Sequence, residues 1–324
     1  MPRLLFLFLD GVGLGSSDPE RNPLAAAPMP ALRGLLGGNP LVASSAPHEG
    51  PLATLLAVDA TLGVAGPPQS ASGQGVLLTG RNLPREFGGH YGPKPSPAIA
   101  QALDENNLFH EVTRRGGSAA LLNAYPPRYF AAIARRHRMY SSIPMAVVAA
   151  GIPLMTAEDL QAGRALSADF TGTGWLLQPD FPPAPTYTPM EAGRKLADLA
   201  RRYDLTWFDY WLPDYAGHRS TRQETLHLLE TFDGVLGGLA EAWAAEPGLI
   251  VMTSDHGNLE DHHKRSHTLN PVPALLLGPQ SLRREFGRDL HNLTDFAPAV
   301  LGTLFGPFAD ASTPVASPSS SPAA

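Results

Sequence analysis

Seven residues spread along this chain have the types and local spacings that two-metal phosphoryl transfer requires: Asp10, Ser70, Asp214, His218, Asp255, His256 and His267. Carboxylate and imidazole donors can hold divalent ions, and a hydroxyl activated beside them can attack phosphorus. They fall in four segments, LLFLFLDGVG, PPQSASGQGVLLTG, DYWLPDYAGH and VMTSDHGNLEDHHKRSHTLNPVP, and each segment alone is a weak signal.

The elements around these segments put them at one edge of a sheet. LLFLFL, AALLNA, LTWFDYWL, GLIVMTS and ALLLG are short, nearly all apolar runs, the pattern of strands buried on both faces. Between them lie helical stretches: PAIAQALDENNLFHEVTRRGG, TPMEAGRKLADLARRY, TRQETLHLLETFDGVLGGLAEAWAAE and TDFAPAVLGTLF, the last with Thr294 as its expected N-cap. The alternation predicts an α/β protein with a three-layer α/β/α core and a mainly parallel central sheet. Asp10 follows the first apolar run, and Asp255 and His256 follow another, so both should project at the carboxyl edge, where open α/β sheets place ligands. A plain turn Asp before Gly11 is the competing reading of Asp10. His267 returns an imidazole eleven residues after His256, and Asp214 and His218 add a carboxylate and an imidazole four apart.

Near residue 70 the hydroxyl candidates are Ser70, Ser72 and Thr79. Gly73 and Gly75 permit a tight entry into a helix whose N-terminal amides favour an anionic phosphate. The competing reading is a glycine-rich turn with an N-cap serine.

Bulk properties narrow the classes. At 324 residues the chain can bury a large core. Net charge is −6 with no basic block interleaved with aromatics, so a nucleic-acid footprint is missing. With no cysteine, neither disulfides nor thiolate metal sites exist. LLFLFL runs straight into Asp10 and reads as a strand rather than a signal peptide. No apolar run reaches the roughly 18 residues of a membrane helix, and a cytoplasmic, non-membrane protein is expected. Oligomeric state is not legible.

Residues 126–188 break the rhythm and read as a small inserted cap for substrate selection, leaving 1–125 and 189–308 as the core. The Ser, Pro and Ala tail at 309–324 should be disordered. Arg128, Arg135, Arg136 and Arg138 of the insert, with Lys264 and Arg265 of the 251–273 segment, are candidate binders of a substrate anion.

Taken together, LDGVG, PDYAGH, SDHGN and SHTLNPVP resemble the alkaline phosphatase superfamily, most closely the branch of cofactor-independent phosphoglycerate mutase and phosphopentomutase. The resemblance covers residues 1 to about 125 and about 190 to 306. It implies that Asp214, His218 and His267 hold one metal, while Asp10, Ser70, Asp255 and His256 hold the other. It also selects Ser70 as nucleophile, because Gln69 to Gln74 align with the mutases' nucleophile segment; Thr79 and Gly80 stand after Ser70 as a Thr-Gly pair does in related nucleotide pyrophosphatases. Gln74 departs from the mutase pattern, where His is usual. The implied cofactors are two divalent ions, Mn2+ or Zn2+, and the implied partner is a small phosphoester. The expected activity is a phosphatase or phosphomutase working through a phosphoserine, with a non-catalytic metal- or phosphate-binding protein of the same fold as the alternative.

Overall fold

The computed structural model describes residues 2–306. Residues 307–324, which include the tail expected to be disordered, lie outside the described residues. Among the described residues nine strands form two sheets: β1 Leu4–Leu9, β2 His48–Glu49, β3 Ala53–Val58, β4 Ala119–Leu121, β5 Ala124–Tyr125, β6 Met155–Thr156, β7 Leu205–Tyr210, β8 Leu249–Thr253 and β9 Val272–Leu277. Seven of them make the main sheet in the order β2-β3-β9-β8-β1-β7-β4, and β5 pairs with β6. The four strands β8, β1, β7 and β4 run parallel, whereas β9, β3 and β2 pair antiparallel.

β1 shows why the apolar runs fold this way. Its alternate residues Leu4, Phe6 and Phe8 enter one core and Leu5, Leu7 and Leu9 the other, so both faces need apolar side chains. The first core packs the helices Ser70–Thr79, Ser142–Ala149 and Phe296–Phe305 against Phe6 and Trp207, whose rings stack 3.9 Å apart. The second packs Pro189–Ala200 and Arg222–Trp243 against Phe208 and Tyr210. This is a three-layer α/β/α arrangement.

Local signals fix the helix ends. Thr188 and Thr221 open their helices with capping boxes to Glu191 and Glu224. The expected helix over 97–117 is instead two, Pro97–Glu105 and Leu108–Arg114, because the Asn107 side chain accepts from the backbone of Phe109 and His110 and starts a new cap. Thr294 is not the cap of the last helix. Asn292 caps a 3-10 turn that takes in Thr294 and leads into Phe296–Phe305.

Residues 126–188 divide in two. The helix Ser142–Ala149 buries Ile143, Ala146 and Val147 in the main core, and Ser142 Oγ donates to Ala71 O at 3.0 Å. Ala157, Leu160, Ala165 and Trp175 form a small cluster of their own under the β5-β6 pair.

Candidate metal centre

All seven singled-out residues converge at the carboxyl edge of the parallel strands. Asp10 follows β1, Asp255 and His256 follow β8, and Asp214 and His218 lie one turn apart on the helix Leu212–Arg219 after β7. Ser70 is the first residue of the helix Ser70–Thr79, and His267 sits on the loop before β9. Asp255 and His256 are fully buried, and Asp10 and Ser70 are nearly so.

Two groups of donors face each other. In the first, His256 Nε2 is 3.3 Å from Asp10 Oδ1, 3.8 Å from Asp255 Oδ1 and 3.0 Å from Ser70 Oγ. In the second, Asp214 Oδ1 is 3.4 Å from His218 Nε2 and 3.7 Å from His267 Nε2. The rings of His256 and His267 stack 3.7 Å apart, so the groups adjoin.

The outward-facing ring nitrogens define the tautomers. His218 Nδ1 donates to Arg265 O at 2.9 Å and His267 Nδ1 donates to Pro68 O at 2.7 Å, since a carbonyl can only accept. Each Nε2 is then a bare acceptor aimed into the cluster, the orientation that metal-binding imidazoles take from their other hydrogen bond. Asp255 Oδ2 is buried and accepts no hydrogen bond, and Asp10 Oδ1 is buried with only His256 Nε2 facing it, at 3.3 Å. Donor atoms of Asp10, Asp255 and His256 lie within 4.8 Å of one another, as do those of Asp214, His256 and His267, so His256 belongs to both sets, and each set fits a divalent cation.

The electrostatics agree. Burial, and then the charge of Asp255, push the Asp10 carboxyl up to about 8. Burial also raises Asp255, to about 6, with Asp214 adding to it. For His256, burial works against the charged form, but Asp255 and Asp10 outweigh it and raise the ring to about 10. His267 is pushed down to about 4 by burial and by His256. A cation would replace the protons that this cluster otherwise retains.

A cavity of about 640 Å³ opens beside the cluster, lined by Asp10, Trp211, Asp214, Tyr215, His218 and Arg219. Trp211, Tyr215 and Arg219 went unnoticed in the sequence although they share the DYWLPDYAGHR segment with the donors. Asp209 was also missed: it is the penultimate residue of β7 and buried, its Oδ1 has no partner, and burial followed by Asp10 raises it to about 8.

The candidate substrate cations have these surroundings. Arg128 donates to Gln178 and lies over the Phe181 ring, and Arg138 lies over Tyr129. Arg135 and Arg136 are exposed at the end of the helix Pro127–Ala134. Arg265 donates to Ser220 O while its own carbonyl holds His218. Lys264 lines a second cavity of about 610 Å³ together with Arg21 and His267.

Residues 182–305, which carry five of the seven donors, match the description of the Metalloenzyme superfamily. The chain carries a metalloenzyme-superfamily domain. Among curated relatives, the 2,3-bisphosphoglycerate-independent phosphoglycerate mutase of Gloeobacter violaceus is 34% identical over 143 residues, and that of Desulforudis audaxviator 33% over 137. The first match takes in 38% of this chain and only 27% of the relative's length. Solved structures extend the likeness to the whole fold. A Pyrococcus horikoshii protein aligns over 94% of this chain and 96% of its own, with 15% identity and a TM-score of 0.53. The phosphoglycerate mutase of Leishmania mexicana aligns over 97% of each chain, with 12% identity and a TM-score of 0.50. The region that matches the Metalloenzyme superfamily therefore sits within an α/β fold that these two structures share.

Proposed function

We propose that this protein is a metal-dependent phosphoryl-transfer enzyme that acts on a small phosphoester through a phosphoserine at Ser70. The observation that carries the reading is Ser70 Oγ, 3.0 Å from His256 Nε2 and at the N-terminus of a ten-residue helix, beside both donor groups. Asp214, His218 and His267 would hold one divalent ion; Asp10, Ser70, Asp255 and His256 would hold a second. The ions, Mn2+ or Zn2+, supply charge stabilisation for the phosphoryl oxygens and a lowered hydroxyl pKa.

The chain's own groups do the rest. Ser70 Oγ attacks phosphorus, the P–O ester bond breaks, and the ester oxygen leaves as the substrate alcohol after taking up a proton. Trp211, Tyr215 and Arg219 at the cavity mouth receive the alcohol portion. Attack of water on phosphoserine makes the enzyme a phosphatase, and attack of a second substrate hydroxyl makes it a mutase. Gln74, which stands where the mutases usually carry His, donates to Asp10 Oδ2 at 3.3 Å.

Mass spectrometry of the Mn2+-loaded protein after brief exposure to a phosphoester panel tests this. A phosphoryl group on the Ser70 peptide, with free phosphate released, supports the phosphatase; an isomeric phosphoester as product supports the mutase. Full metal loading with neither adduct nor turnover would favour a binding protein.

A further inference from the structure

Glu260 is nearly fully buried and lies outside both donor groups, yet its carboxylate touches the loops that carry them. Oε2 accepts from Gly13 N at 3.0 Å and Asn258 N at 2.8 Å. Oε1 accepts from Asn270 Nδ2 at 3.0 Å and from the Thr268 hydroxyl. Four donors, one from the loop after β1 and three from the long loop between β8 and β9, converge on one side chain, which is what a carboxylate can satisfy and an amide cannot.

Each contact leads to a donor within a few residues. Gly13 belongs to the turn after Asp10. Asn258 follows Asp255 and His256, and its own amide donates to Asp214 Oδ1 at 2.8 Å and Asp214 O at 3.1 Å. Thr268 adjoins His267, and its N–H donates to Gly257 O at 2.9 Å. Two glycines make room for the carboxylate: a Cβ at Gly13 would overlap Oε1 of Glu260, and one at Gly257 would overlap Oε1 and the Thr268 hydroxyl.

We propose that Glu260 is the positioning residue of the metal centre, folding the β8–β9 loop on itself and onto the Asp10 loop so that Asp10, Asp255–His256 and His267 are assembled before any ion arrives. It binds neither ion nor substrate and acts through Gly13, Asn258 and Thr268. The inference rests on the metal-centre reading above.

Calorimetric titration of Mn2+ into the metal-free full-length protein, wild type against Glu260→Gln, reads the role without any substrate. The amide would set its NH2 against two donors, and the expected result is a loss of metal affinity of about 10- to 100-fold, as for other residues that orient metal ligands. Activity measured alongside should recover toward wild type as Mn2+ is raised to saturation, which a general loss of fold would not allow. Should Glu260→Gln fail to fold, Thr268→Val removes one donor, and Gly257→Ala displaces the carboxylate; both are expected to lower affinity in the same direction. Wild-type Mn2+ binding with an unchanged affinity in these variants overturns the role of Glu260 alone. A wild-type protein that takes up no Mn2+ overturns the metal centre itself.

Discussion

His218 and His267 point their Nε2 atoms at each other across 3.2 Å while each Nδ1–H is committed to a backbone carbonyl. With both rings neutral neither Nε2 can donate to the other, so two lone pairs are held in opposition, with Asp214 Oδ1 beside both. A divalent ion turns that repulsion into coordination. Mn2+ at about 100 times its Kd should therefore stabilise the fold by about 2.7 kcal/mol. The check is melting temperature with Mn2+ and after chelation; His267→Asn should abolish most of the difference. Equal melting temperatures with and without Mn2+ in the wild type would contradict the site.

The protonation of the cluster sets the pH dependence of the metal-free protein. Asp10 and Asp209, with ordinary values of 3.8, titrate near 8 in the fold, and His256 moves from 6.5 to about 10. From pH 6.5 to about 8 the folded protein thus holds more protons than the unfolded chain, so stability should fall as pH rises. His267, lowered to about 4, acts oppositely but only between about 4 and 6.5. Thermal melts across pH 6.5 to 8 should show the decline without metal and a smaller one with Mn2+, which competes with those protons. A metal-free melting temperature that rises over this interval would refute the argument.

Much of this architecture was legible because burial leaves a one-dimensional trace. β1, β7, β8 and β9 are continuous apolar runs, and their ends gave Asp10, Asp255 and His256 directly. β3 was missed: Ala53–Val58 lies among Gly, Pro and Ser turn signals and pairs antiparallel at the less regular side of the sheet. Spacing could not show that Asn107 splits one helix pattern into two, since a cap depends on where a side chain folds back. Nor could it show Asp209, which reads as a strand residue until its neighbours across the edge are known. Glu260 stands in a charged segment with nothing local to mark it, and its four hydrogen bonds come from residues up to 247 positions away.

Arg219 is exposed at the cavity mouth, with its guanidinium 5.9 Å from the Tyr215 ring. Because it contacts no donor in the cluster, Arg219→Ala should leave metal binding unchanged. For a substrate whose alcohol portion carries an anion, KM should rise about tenfold, the loss of one charge-assisted contact of about 1.4 kcal/mol. Steady-state kinetics on anionic and neutral phosphoesters would separate the two effects. A loss confined to kcat would place Arg219 elsewhere in the mechanism.

Ser70 and Asp255 should part company when mutated. Ser70→Ala removes the attacking oxygen but leaves Asp10, Asp255 and His256 in place, so Mn2+ uptake should persist in part while turnover disappears. Asp255→Asn takes a fully buried carboxylate out of the first donor group, where its Oδ2 has no hydrogen-bond partner to retain it. Mn2+ affinity and turnover should then fall together. Metal stoichiometry and phosphate release, measured on the same preparations, distinguish the two patterns. Turnover surviving in Ser70→Ala would mean that water attacks phosphorus directly, and the Ser70 hydroxyl would be reassigned as a ligand only.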